Sequence, residues 1–237
     1  MSYVDGFLAP VHSDQETYRA FAAKAAPIFR EHGATRVVEC WGDDIPDGTL
    51  TDFRRAVAAE AGETVVFSWI EYPDRATADA TNQKLMEDLR MQDMGEMPFD
   101  GMRMIYAGFE PLLDDGGKAR GGYMDGFVVP VPEGNKEAYR AMAQKGSEVF
   151  QEYGALRVVE AWGDNVTDGK VTDFKRATQA KDGETVVFSF IEWPDKGTRD
   201  KAWEKVMADP RMQPDKDNMP FDGQRMFWGG FMPVVDG

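Results

Sequence analysis

The chain has 237 residues, 42% of them hydrophobic and 12% aromatic, which is enough for one or two packed domains. Its 42 acidic against 27 basic side chains leave a formal charge of −15, a balance that repels nucleic-acid phosphates and anionic membrane surfaces. The one cysteine, Cys40, excludes an intramolecular disulfide. No stretch approaches the roughly 18 consecutive apolar residues of a membrane span, and the start reads as a strand without a basic and apolar leader. The expectation is a soluble cytoplasmic protein with neither a nucleic-acid nor a membrane partner.

Taken in chain order, residues 3–11 read as a strand containing one acid, Asp5. A helix follows, with Ser13 and Glu16 forming a capping box, and Tyr18, Phe21, Ala22, Ala25, Ile28 and Phe29 tracing an apolar face. Gly33 suits its stop, and Pro27 is expected on the solvent side. Residues 36–41 form a second strand with Glu39 inside it, and residues 42–62 make a connection far longer than a hairpin requires. The run 64–71 is a third strand, with so few charges that it should be covered on both faces. Pro73 and Asp74 then open a second helix that extends to about Leu89, a loop covers 90–102, and residues 103–109 are a fourth strand.

The same series then repeats. GETVVFSWIE at 62–71 returns as GETVVFSFIE at 183–192, ATRVVECWGD at 34–43 as ALRVVEAWGD at 155–164, and MPFDGMRM at 97–104 as MPFDGQRM at 219–226. Two copies are too few for a solenoid and fit a pair of globular halves. We expect modules at 1–113 and 123–237, with DDGGKARGG at 114–122 as a flexible joint. Each copy has the order β-α-β-β-α-β, a ferredoxin-like α+β unit. Its helices cover one sheet face only, so the bare face should be buried against the other copy, as in an intrachain pseudo-dimer.

YVDGF, HGATRVVECWGD, GETVVFSWIEYPD and MPFDGMRMIYAGF resemble the YbaA-like proteins, a bacterial family of uncharacterised function. The resemblance covers nearly all of both copies. It implies the dimeric α/β-barrel superfamily and an interior cavity, used elsewhere in that superfamily by cofactor-independent oxygenases, isomerases and small stress-response enzymes. Family members are single modules that dimerise, whereas this chain fuses two, and further self-association is open to it. No catalytic residue can be carried over.

Neither His12 nor His32 is duplicated, and Cys40 is Ala161 in the second copy. Haem, zinc and flavin are therefore not expected, both histidines are read as surface residues, and Cys40 as a small packed one. The acids inside strands do recur, as Asp5 with Asp125 and Glu39 with Glu160. A buried carboxylate needs a reason, either acid–base catalysis or a structural pairing with Arg36 or Arg103. The loops at 10–14, 42–62 and 90–102 should share one end of each half. There Arg54, Arg55, Arg90 and Arg103, with Lys175, Arg176, Arg211 and Arg225, would hold an anionic ligand. The alternatives are that these cations pair with acids such as Asp52 and Asp100, and that the loops plug the sheet. The methionines near 86–104 are read as core filling. Two functions stay open: a small-molecule site, either binding or catalytic, and a non-catalytic assembly or regulatory module.

Overall fold

The first strand of the computed structural model is covered on both faces. On β1 (Tyr3–Val11), Val4, Gly6 and Leu8 face one way and Asp5, Phe7 and Ala9 the other. The structure describes residues 2–117, 120–213 and 219–237. After β1 come α1 (Gln15–His32), β2 (Arg36–Asp44), the one-turn α2 (Phe53–Ala56), β3 (Thr64–Tyr72), α3 (Arg75–Glu87), the short α4 (Leu89–Gln92) and β4 (Ile105–Gly116). The second series is β5 (Tyr123–Pro132), α5 (Lys136–Glu152), β6 (Arg157–Asn165), α6 (Phe174–Ala177), β7 (Glu184–Trp193), α7 (Lys196–Ala208) and β8 (Phe227–Asp236). The class is α+β.

All strand pairs are antiparallel. The order within the first half is β4-β1-β3-β2 and within the second β8-β5-β7-β6. The halves also pair edge to edge, β2 with β8 and β4 with β6, so one barrel closes and no strand edge stays open. The two sheets form one continuous barrel, and the helix-free faces expected to meet line its interior. The closure takes in part of the expected joint: Asp114–Gly116 continue β4 beside β6, while residues 118 and 119 of that joint lie outside the described residues.

The barrel interior is full. Phe67 and Phe188 stack at 4.4 Å, Trp69 and Phe190 at 4.0 Å, and Phe109 lies 5.2 Å from Phe188. Gly6 and Gly126 leave room for these rings: a Cβ on Gly6 would sit 3.0 Å from Phe109 and Phe188, one on Gly126 only 2.7 Å from Phe67. The long β2–β3 connection explains one closed end. Its α2 sends Phe53 against Phe67, Phe227 and Phe231, and α6 sends Phe174 against Phe109 and Phe188. The loops are tied across the halves by Thr51 donating to the Ala177 carbonyl and Thr172 to that of Ala56. At the opposite end, Arg36 and Arg157 lie over Trp69 and Phe190. Arg36 binds Glu192 at 2.7 Å and Asp236 at 2.8 Å, while Arg157 binds Glu71 and Asp114 at 2.7 Å. Each arginine thereby bridges its own half to the other.

The helix starts and stops follow local chemistry. Asp14, not Ser13, caps α1, its carboxylate accepting from the Thr17 amide at 2.8 Å, and Gly33 ends the helix at φ +128°. Pro27 is exposed on the outer side of α1. His32 is not a free surface residue: it bonds Asp88 at 2.8 Å, and Tyr153 repeats the contact with Asp209 at 3.0 Å. Cys40 is buried in the barrel core. Met86, Met97 and Met102 are exposed, which corrects the core-filling expectation for them. Among the described residues no helix is long and apolar enough to cross a membrane.

Candidate functional site

The outward-facing side chains of the sheet lie beneath the helices, and the repeated acids are found there rather than inside the barrel. On β2, Val38 and Cys40 point inward, which turns Glu39 outward under α1. Its register partner on β3 is Ser68, and Tyr18 comes down from α1. Tyr18 donates to Glu39 Oε2 at 2.6 Å, and the Ser68 hydroxyl donates to the same oxygen. The second half rebuilds the trio: Tyr139 donates to Glu160 Oε2 at 2.7 Å, as does Ser189, the register partner of Glu160. Among the described residues neither glutamate pairs with a cation. Arg36 belongs to the barrel-end network, and Arg103 binds Glu63 and Asp100. Burial pushes both glutamate carboxyls above their ordinary value, and the two hydroxyl donors offset part of that shift.

Beside Glu160 is open space. A cavity of about 490 Å³ lies between α5 and the outer sheet face, floored by Phe127, Val129, Val158 and Ile191 and bordered by Met142 and Phe150 of α5. Glu160, Ser189 and Tyr139 are on its wall. Among the described residues no group donates to Glu160 Oε1. An apolar chamber thus faces one unpaired carboxylate oxygen whose partner oxygen is held by two hydroxyls. Such a group can accept a hydrogen bond or a proton from a bound molecule, and after gaining a proton can return it. Sequence reasoning singled out the glutamates but not Tyr18, Tyr139, Ser68 or Ser189. The signal was present, since the serines interrupt otherwise apolar strand runs and all four recur at matching positions.

The aspartates have diverged. Asp125 accepts from Trp193 at 2.9 Å, Trp203 at 2.7 Å and Arg199 at 2.8 Å. Burial opposes the Arg199 charge, but Asp125 and neighbouring acids outweigh it and hold the guanidinium ionised. In the first half the matching positions hold Tyr72, Asn82 and Ala78. Asp5 accepts from Asn82 at 3.2 Å, its Oδ1 and the Tyr72 hydroxyl have no hydrogen-bond partner, and no cation offsets the burial. Its carboxyl is pushed up to about 6, chiefly by burial.

The cations expected to converge do so only in part. Arg54, Arg55 and Arg103 gather at the plugged end, where they bind the Glu63 carbonyl at 3.0 Å, Asp52 at 3.1 Å and Glu63 and Asp100 at 2.7 Å respectively. Lys175, Arg176 and Arg225 repeat this with Asp168 at 3.4 Å, Asp173 at 3.3 Å and Glu184 at 2.6 Å. Lys175 also borders a polar recess of about 410 Å³, but Glu133, Asp164, Asp182 and Glu184 outnumber the two lysines there. Arg90 and Arg211 sit elsewhere, because α3 and α7 cross α1 and α5 so that each arginine meets an acid near a helix end, Glu31 and Glu152 at 2.7 Å. Arg211 lines the cavity. Among the described residues no three His, Cys, Asp or Glu side chains are grouped so as to hold a metal ion.

The family model described as "Protein of unknown function (DUF1428)" matches residues 2–101 and again 122–223. The uncharacterized protein YbaA of Escherichia coli K12 is 61% identical over 117 residues, 48% of this chain and all of that one, and YbaA of Shigella flexneri matches equally. Among solved structures, an anthrone oxidase-like protein aligns with TM-score 0.60 at 15% identity, over 100% of this chain and 92% of that one. A "putative monooxygenase" from Lactobacillus acidophilus aligns with TM-score 0.61 at 10% identity, over 100% and 96%. At such identities these two show a shared fold alone.

Proposed function

The chain belongs to the DUF1428 family, and from that premise we propose that it binds a small, mainly apolar molecule between α5 and the sheet and exchanges a proton with it through Glu160, as a cofactor-independent enzyme does. The observation that carries this reading is a half-buried carboxylate on the wall of an apolar cavity whose Oε1 has no donor and no cation among the described residues. Apolar surroundings make the ionised carboxylate a stronger base than it would be in water, and Tyr139 and Ser189 fix its orientation. A hydroxyl, or an acidic C–H, on the ligand is what Oε1 would accept from. Lys145 and Arg211 at the cavity margin are placed to favour an anion developing on the outer part of that ligand. The names of the two structural neighbours, an oxidase-like protein and a monooxygenase, fit chemistry on a small organic molecule. In the same reading residues 1–113 and 123–237 are two ferredoxin-like modules fused as a pseudo-dimer. One observation favours the alternative of a non-catalytic assembly module: the barrel interior is packed solid with aromatic rings.

A thermal-shift screen of small organic molecules, repeated on Glu160→Gln, tests the proposal, because a ligand of the folded state raises its melting temperature. Ligands should stabilise the wild type, with a pH dependence of binding that the variant loses. Hits whose binding and pH dependence are unchanged in the variant would refute it.

A further inference from the structure

Both halves carry the Tyr–Glu–Ser trio, but the helix that covers it differs at two positions facing the cavity, where the second half has Met142 and Gly146 and the first Phe21 and Ala25. We infer that the halves have divided the work: the second holds the ligand, because Met142 and Gly146 keep its cavity open, while Phe21 and Ala25 close the matching space in the first. This inference rests on the function proposed above.

In the first half the ring of Phe21 meets that of Phe99 edge-on at 5.9 Å, and Tyr18 packs against both Phe99 at 6.4 Å and Trp41 at 5.9 Å. Phe21 thereby adds a fourth ring to the Tyr18, Trp41 and Phe99 cluster beneath α1. In the second half Tyr139 keeps its contact with Phe221, at 5.8 Å, but Met142 replaces Phe21 and Lys136 lies over the Trp162 ring at 5.2 Å. Met142 and Phe221 now stand on the cavity wall instead of touching ring to ring. A methionine can swing aside where a phenyl ring cannot.

Gly146 has no conformational reason to be glycine. It lies in the interior of α5, where glycine is among the least favoured residues, and it is not one of the positive-φ residues. A Cβ there would come within 3.9 Å of both Met212 and Phe150, an ordinary contact, so the backbone tolerates a side chain but the cavity would lose the volume. The matching residue of α1 is Ala25. A helix-weakening residue at the one place where it widens the cavity is what a ligand site explains.

The test is titration of the full chain with 2-naphthol, an apolar two-ring molecule with a single hydroxyl for Glu160 Oε1, followed by fluorescence and calorimetry. The wild type should bind one molecule per chain. M142F/G146A should bind at least ten-fold more weakly with its melting temperature kept or raised, so that the loss is not unfolding, and F21M/A25G should bind two. Two molecules per wild-type chain, one removed by E160Q and the other by E39Q, would overturn the division of work while leaving the proposed site standing. Binding unchanged in both E160Q and M142F/G146A, or no binding by the wild type, would overturn the site and this inference with it.

Discussion

Replacing Asp5 by Asn should make the protein more stable at neutral pH. Asp5 is buried on the outer face of β1 with Asn82 as its hydrogen-bond donor and no cation beside it, and its carboxyl is raised from 3.8 to about 6. A shift of that size separates the protonated and ionised forms by about 3 kcal/mol. A folded-state value raised above the unfolded one gives stability that is fully present below about 4 and is lost as the pH rises through about 6. Above that range the wild type carries an ionised, desolvated carboxylate. Asn has a similar shape and no charge, and its amide can donate to the unpartnered Tyr72 hydroxyl. The expected difference, variant minus wild type, is near zero at pH 4 and about 2–3 kcal/mol in favour of the variant at pH 8. Urea unfolding of both proteins from pH 4 to 8.5 measures it. Glu39 and Glu160 titrate in the same sense in both proteins and cancel in the difference. A difference independent of pH, or a variant less stable at pH 8, would refute the reasoning.

The same substitution in the second half should act in the opposite direction. Asp125→Asn removes the one fully buried counter-charge of the Arg199 guanidinium, leaving it the more exposed Asp44 and Asp200 at 2.9 and 3.0 Å, and should cost about 3 kcal/mol in urea unfolding at pH 7. Phe188→Ala removes a fully buried ring that packs on Phe67, Phe109 and Phe174, and should cost about 3–5 kcal/mol by the same assay. Gly146→Ala alone should raise stability by about 0.5–1 kcal/mol while weakening 2-naphthol binding, a pairing that calorimetry and thermal melts check together.

The repeat and its strands were legible because their signals are local. Residues 3–11 and 36–41 hold their alternation, and β3 carries almost no charge because both its faces are covered. The closure of the barrel was not legible. Pairing of β4 with β6 joins residues from different halves through backbone hydrogen bonds, which leave no pattern in side-chain order. The plugs show the same limit: Phe53 stands in a stretch that reads as loop, and only the partner rings Phe227 and Phe231 reveal what it fills. Arg90 was misplaced because helix crossing is set by packing, which carried Asp88 to His32 and Arg90 to Glu31. For the site, repetition of an acid inside an apolar strand pointed to Glu39 and Glu160. Their hydroxyl partners depend on strand register and helix position, and the cavity on the contrast between Phe21 and Met142, so neither follows from one copy read alone.

The central claim is that the Glu160 carboxyl is a proton-exchanging group open to a ligand. It is tested most directly by following the glutamate side-chain carboxyl carbons by NMR as a function of pH, with E160Q and E39Q to assign the signals, in the absence and presence of 2-naphthol. The account predicts that Glu160 titrates above the ordinary glutamate value, because burial raises it, and that 2-naphthol moves its titration while leaving that of Glu39 in place. A Glu160 carboxyl that titrates at the ordinary value and is indifferent to the added molecule would contradict it.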